Sequence, residues 1–155
     1  MSILAENRRS SYDYEILETY EAGLVLFGFE VKAIKTGRVS LTGSFVTAKN
    51  KELFLTNALI PPYQAANIPI DYNQTRPRKL LMKKSEISSL IGKLKAKGLT
   101  LVPIRLYTKK NTLRGAQGKI KLEFAVAKGK RKIDKRETIK KREFEREKER
   151  EFKYR

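Results

Sequence analysis

The 155-residue chain carries 35 Lys and Arg against 17 Asp and Glu, a formal charge of +18 at pH 7, and contains neither Cys nor His. Without those two residue types there is no thiol nucleophile, disulfide, Cys/His zinc site, imidazole base or Ser-His-Asp triad, so most common enzyme designs are excluded. The basic excess is the electrostatic footprint of a nucleic-acid binder, because each neutralised phosphate releases counterions. A membrane surface would also attract it, but no stretch separates apolar and basic faces as an interfacial helix does, which ranks RNA or DNA above lipid.

In chain order, MSILAENRRSSYDY has no apolar h-region, and GLVLFGF is far short of the ~20 residues a membrane span needs, so a soluble, cytoplasmic protein is expected. From Ser11, YDYEILETY alternates, with Tyr12, Tyr14, Ile16 and Tyr20 on one side of a half-buried strand. GLVLFG reads as a second strand. FEVKAIKTG then changes period to a short helix, with Val31 and Ile34 on one face, Lys32 and Lys35 on another, and Gly37 where a left-handed residue closes the helix. RVSLTGSFVTAKNKELFLTNALI predicts a hairpin turning at Lys49–Lys51. Residues 61–78, punctuated by four prolines, read as loop, and RKLLM as a short strand. SEISSLIGKLKAKG is the clearest helix: Ile87, Leu90, Ile91 and Leu94 form one stripe, Ser85 is the expected N-cap, and Gly98 stops it. TLVPIRLYT and KIKLEFAVAKGK are two more strands around a polar loop at Lys109–Gly118; the second sets Ile120, Leu122, Phe124 and Val126 against Lys121, Glu123, Ala125 and Ala127. Roughly six strands and two or three helices in one core predict a mainly β, α+β fold: a small antiparallel OB-like barrel over residues 1–128.

Residues 129–155 form a tail with 13 of the basic and 7 of the acidic residues, hence +6 of the +18, leaving +12 on the body. Its sizeable apolar side chains, Ile133, Ile139, Phe144, Phe152 and Tyr154, are too few to order it alone. In REFEREKEREF, like charges at i,i+4 (Glu143/Glu147, Arg146/Arg150) offset attraction at i,i+3 (Glu143/Arg146). Such a segment is a poor helix alone and a good one when docked; a solvated tail with no role is the open alternative.

The strings NRRSSYDYEILETYEAGLVLFGFEVKAIKTGRVSL, ELFLTNALIPPYQ, RKLLM, EISSLIGK and AVAKGKRKIDKRETIKKRE, in this order and spacing from Asn7 to Glu143, resemble the SsrA-binding protein family, the small protein B of bacteria that partners transfer-messenger RNA (tmRNA, SsrA RNA). The resemblance implies an OB-like barrel whose basic C-terminal tail is disordered when free and helical on the ribosome. It implies a non-enzymatic role in trans-translation: binding the tRNA-like domain of tmRNA and bringing it to stalled 70S ribosomes, where the tail occupies the empty decoding site and mRNA channel against small-subunit rRNA. No cofactor, metal, membrane partner or small-molecule substrate is expected.

Carried over residue by residue, the implied tmRNA contacts are Asn7, Arg8 and Arg9 (with Ser10 in place of the family's Ala), Glu21, Ala22 and Gly23, Lys32 in EVKA, and Lys128 and Lys130 in AKGKR. Amide and guanidinium groups suit base edges and phosphates, and a carboxylate can accept from an exocyclic amine or a 2′-OH. Taken without the family, Glu21 reads as a strand-end salt-bridge partner, Gly23 as a bend and Glu30 as structural. The implied ribosome-binding residues are Ile133, Asp134, Lys135, Arg136, Lys140, Lys141 and Arg142. Asp134 suits a helix cap, and Lys135 and Arg136 suit phosphates. Ile133 stands where many relatives carry His or Tyr, exchanging a stacking face for dispersion alone. The Lys109–Gly118 loop is longer than the family leads one to expect. Rival readings are a general structured-RNA or rRNA binder of the translation apparatus, and a membrane- or nucleoid-associated protein.

Overall fold

A computed structural model describes residues 2–63, 68–95, 98–111, 116–130, 140–144 and 146. Its elements are β1 (Ser2–Glu6), α1 (Ser10–Asp13), β2 (Tyr14–Leu24), α2 (Gly28–Lys35), β3 (Phe45–Lys49), β4 (Glu52–Thr56), β5 (Arg78–Leu81), α3 (Lys84–Leu94), β6 (Leu99–Asn111) and β7 (Ala116–Gly129). The sheet runs β1-β6-β3-β4-β5-β2-β7, and a further β6–β7 pairing brings β6-β3-β4-β5-β2-β7 into a ring of antiparallel pairs. Long ladders join β2 to β7 and β7 to β6. The opposite side is thin: a single register pair, Val46↔Leu101, joins β3 to β6. β1 lies along Arg105–Thr108, the part of the β6 edge that β3 leaves open. The antiparallel, β-rich architecture expected from the sequence is present.

Alternation dictates which side chains meet inside. Leu122, Phe124 and Val126 of β7 face inward with Leu101 and Leu106 of β6 and Leu53 and Leu55 of β4, all buried, while Ile34 from α2 and Leu90 from α3 enter from the helices. Each such side chain contributes roughly 1.5–3 kcal/mol of burial. Ala125 and Ala127, in the outward phase of β7, are also fully buried, because Tyr14, Ile16 and Ile104 cover them in a second, smaller cluster with Val102.

That second cluster corrects the expected face of the first long strand. The ladder slips between Ile16 and Glu18, so Ile16 opposes Ala127 on the outside whereas Tyr20 opposes Phe124 on the inside. Leu17 is the extra residue, half exposed, and a one-residue slip moves every later side chain to the other face. Tyr12 is not in a strand at all. Ser10–Asp13 closes a helical turn, with Tyr12 and Asp13 N–H donating to the Arg9 carbonyl at 3.1 and 2.9 Å. GLVLFG is not a separate strand but the end of β2 and its extension, where Val25 N–H donates to the Lys79 carbonyl at 3.0 Å. β1, Ser2–Glu6, is a strand that no expectation from the sequence includes. α3 begins at Lys84, with Lys83 as N-cap rather than Ser85, and no side-chain cap bond. β6 and β7 continue through most of the Lys109–Gly118 segment expected to be loop, to Asn111 and from Ala116.

Other local readings hold. α2 closes with Gly37 at φ +81°, Gly37 N–H reaching the Ile34 carbonyl and Arg38 N–H the Ala33 carbonyl, each at 3.0 Å. The β3–β4 hairpin turns on Asn50 and Lys51, at φ 52° and 61°, with Lys49 opposite Glu52.

The proline-rich segment before β5 is fixed by a buried ionic knot. Glu30, on α2, and Arg78, which opens β5, are both fully buried. Arg78 donates to Glu30 Oε2 through Nε at 2.9 Å and Nη2 at 2.7 Å, to the Ala58 carbonyl at 2.5 Å and to the Gln74 carbonyl at 2.9 Å. Phe27 N–H donates to Glu30 Oε1 at 2.9 Å and Arg76 pairs with the same oxygen. The Tyr72 hydroxyl lies 2.9 Å from both Glu30 Oε2 and the Ile60 carbonyl. Burial acts to raise the Glu30 carboxyl, but the Arg76, Phe27 N–H and Arg78 donors outweigh it and hold the group below its ordinary value. The same burial, with the Glu30 carboxylate alongside, pushes the Tyr72 hydroxyl up to about 12. Glu30 is therefore structural, one of the roles the sequence left open.

Candidate RNA interface

The tmRNA-contact residues expected from the sequence fall in three places. The first is the end of the barrel where β2 starts and β7 finishes. Asn7 donates its backbone N–H to the Ile104 carbonyl at 2.7 Å and its side-chain amide to the Pro103 carbonyl at 2.9 Å. Its own carbonyl accepts from the buried Ser10, at 3.2 Å from the N–H and 2.8 Å from Oγ. Much of the Asn7 amide thus staples the chain to β6, which leaves Arg8 and Arg9 exposed on the turn beside it. Lys128 is exposed near the end of β7, opposite Glu15 and Leu99. Lys130 is tied down: its N–H donates to the Asp13 carbonyl at 3.0 Å and its ammonium to the Ser11 carbonyl at 2.6 Å.

The second place is β2, seven residues further along β7 from Lys128 to Lys121 and so about 23 Å away at ~3.3 Å per residue. Alternation splits Glu21, Ala22 and Gly23. Ala22 is a core residue opposite Leu122. Glu21 points outward, where it accepts from the Tyr107 hydroxyl and lies 3.6 Å from Lys109. The salt-bridge reading of Glu21 is therefore visible, although the residue sits within the strand rather than at its end. Burial, then the Glu21 carboxylate, raises the Tyr107 hydroxyl and keeps it protonated as a donor. Opposite Glu21 in the ladder, Glu123 pairs with Arg105 at 3.0 Å.

Gly23 opposes Lys121 on one side and Leu81 on the other. A Cβ there would meet Leu81 Cβ at 3.4 Å and Lys121 Nζ at 3.7 Å, so the missing side chain opens a wall rather than making a bend. Beside it lies a groove of about 420 Å³. Leu24, Val31 and Ile120 are among its apolar lining, and three lysines, Lys35, Lys119 and Lys121, stand around it. α2 supplies one wall through Val31 and Lys35; Lys32, the third expected place, is exposed on the same helix but does not line the groove. The sequence reading missed Lys35, Lys119 and Leu81 as site residues, and placed Lys121 only on the polar phase of β7. The β2–β5 and β2–β7 registers bring Leu81, Lys119 and Lys121 to Gly23, and α2 packed beside them brings Lys35, all non-local placements.

In the tail, Lys140, Lys141 and Arg142 are exposed in a helical stretch, 140–144. Ile133, Asp134, Lys135 and Arg136 lie outside the described residues. Among the described residues no group of three or more Asp or Glu is placed to hold a metal ion, and no helix is long and apolar enough to cross a membrane.

Comparisons with known proteins converge. The family model described as SmpB protein matches residues 4–154. The SsrA-binding protein of Coprothermobacter proteolyticus is 48% identical over 155 residues, all of this chain and 99% of the relative. That of Symbiobacterium thermophilum is 50% identical over 144 residues, 93% of this chain and 87% of the relative. A solved structure described as "tmRNA-SmpB: a journey to the center of the bacterial ribosome" superimposes with a TM-score of 0.65 at 43% identity, covering 90% of this chain and 95% of that one. A family match across nearly the whole length, joined to the same fold at this identity, makes the chain a member of the SmpB protein family.

Proposed function

We propose that the chain is a non-enzymatic RNA-binding protein that holds the tRNA-like domain of tmRNA and delivers it to stalled ribosomes for trans-translation. The observation that carries the reading is the Gly23 groove: three ammonium groups above an apolar floor, on the outer face of an OB-like barrel, in a chain similar to SsrA-binding proteins throughout. Phosphates meet Lys35, Lys119 and Lys121, and an apolar sugar or base face meets Leu24 and Ile120. Glu21, held by Tyr107 and Lys109, offers an acceptor beside them. Arg8, Arg9 and Lys128, at the far end of the same strands, take a separate stretch of phosphate backbone. In this reading residues 1–128 are the tmRNA-binding unit, while 129–155 form a tail that enters the empty decoding site and mRNA channel, with Asp134, Lys135, Arg136, Lys140, Lys141 and Arg142 toward rRNA.

The test is truncation after Gly129. Binding of tmRNA should survive, since the body keeps its +12, and peptide tagging on stalled ribosomes should vanish. Charge reversal of Lys135 and Arg136 should reproduce the truncation. If the truncated protein instead loses tmRNA in proportion to the charge removed, the tail is a nonspecific anchor and a general structured-RNA binder is the better description. A tagged copy should also bring down one dominant, aminoacylatable RNA from its native cell.

A further inference from the structure

A second and larger groove, of about 840 Å³, lies between α3, β5 and the β3–β4 turn. Its apolar part comes from Leu81 and Met82 on one side and Ile87 and Ile91 of α3 on the other. Lys51, Lys84 and Lys95 stand at its rim, together with Lys79, which is already engaged by Glu52 at 3.0 Å. Lys84, Ser88, Ile91 and Lys95 follow one another along α3 at helical spacing, a stripe of roughly 16 Å at ~1.5 Å per residue. None of these residues belongs to the Gly23 groove except Leu81, which lines both and is 53% exposed between them.

One residue in this groove has no explanation within the fold. Gly92 lies inside α3, where glycine destabilises a helix relative to alanine. Its backbone is helical, so no left-handed turn requires it. A Cβ built on it would meet no atom within 4 Å, so no packed neighbour requires it either. A bare backbone in an open, lysine-rimmed groove is what a ligand needs to come close to a helix.

We propose that this groove binds a second segment of the same RNA that occupies the Gly23 groove. Lys51, Lys84 and Lys95 take phosphates, the sugar and base faces lie on Leu81, Met82 and Ile91, and the strand passes over Gly92. The proposal rests on the RNA-binding function argued above. RNA is favoured over an acidic protein surface because the rim charge is of one sign apart from the engaged Glu52, and because the groove shares Leu81 with the other lysine-lined one.

The experiment uses the full-length protein and a transcript of the tRNA-like domain of tmRNA, with affinity measured against salt and hydroxyl-radical footprints of the RNA. Lys84→Glu/Lys95→Glu should weaken binding roughly tenfold and lower the log–log salt slope by about 2, one for each lysine. Gly92→Leu should weaken binding without lowering the thermal midpoint. Both should erase one set of protected nucleotides and leave a second set, which Lys119→Glu/Lys121→Glu erases in turn. If the α3 variants bind and protect as the unaltered protein does, while Lys119→Glu/Lys121→Glu loses affinity, the second groove is not an RNA site and the first reading stands. If the α3 variants keep RNA but lose stalled ribosomes, the groove holds a protein surface and the proposal is wrong. If neither pair of lysines matters, the RNA-binding reading of both grooves falls together.

Discussion

Arg78→Met removes a guanidinium that is entirely out of water. The thioether fills part of its volume but donates nothing, so the Ala58 and Gln74 carbonyls lose their Arg78 donor, and Glu30 Oε2 keeps only Tyr72 among the partners described. Breaking a buried pair by removing one member costs about 3–5 kcal/mol, and each buried acceptor left unmet costs about 1–3 kcal/mol when water cannot reach it. Because Arg76 still pairs with the other oxygen of Glu30, the lower range is expected, about 3–5 kcal/mol in all. For a domain of this size that is a fall in thermal midpoint of roughly 10–15 °C. Urea unfolding at pH 7 measures it directly. The companion variant Glu30→Leu/Arg78→Met leaves neither buried member of the Glu30–Arg78 pair alone and strips only the partly exposed Arg76 of its carboxylate, so it should recover part of the loss. A single variant that loses less than about 1 kcal/mol, well below the cost of a broken buried pair, or a double variant worse than the single, would refute the claim that the knot is a closed ionic unit.

Three further outcomes follow from the same structure. The Glu30 carboxyl is held below its ordinary value of 4.5, so its stabilisation is full above that pH and disappears as pH falls through the folded-state value; urea midpoints should drop more steeply below pH 4.5 for the natural protein than for Glu30→Gln. Gly92→Ala should stabilise the protein by about 0.5–1 kcal/mol, raising the thermal midpoint by roughly 2–4 °C, since the helix has room for a methyl group there. Glu21→Ala should cost at most about 1 kcal/mol in stability, the Lys109 pair being half exposed, yet weaken tmRNA binding measured by filter retention; a large loss of stability with normal affinity would make Glu21 purely structural.

Periodicity carried the sequence reading wherever one face decides the outcome. Ile87 and Leu90 of the α3 stripe and the inward phase of β7 are buried as expected, with Ile91 and Leu94 only partly covered, and Gly37 closes α2 because a left-handed position there excludes most side chains. Failures occur where order comes from distant residues. The segment SILAE has no pattern of its own and becomes β1 only because β6 leaves an edge for it. The bulge at Leu17 cannot be read from YDYEILETY, whose alternation is regular; it exists because Tyr14 and Ile16 must cover Ala125 and Ala127 while Tyr20 reaches Phe124 inside. Gly23 illustrates the same limit for the site. The sequence pattern sets Gly23 at the start of a separate strand rather than inside β2, and the lysines beside it belong to β7 and α2, brought there by strand register and by the packing of α2.

The ladder between β2 and β7 has a mechanical consequence. Lys130 pins the end of β7 to α1, and Lys121, which faces Gly23, lies nine residues back, about 30 Å away along the same two strands. Paired strands do not stretch, so the pair acts as a ruler between the Gly23 groove and the Lys130 anchor. Inserting two residues into each strand between these points would preserve alternation and both ends, yet lengthen the ruler by ~7 Å. A partner that engages both ends at once would then find its two footholds out of step, though every contact residue remained intact.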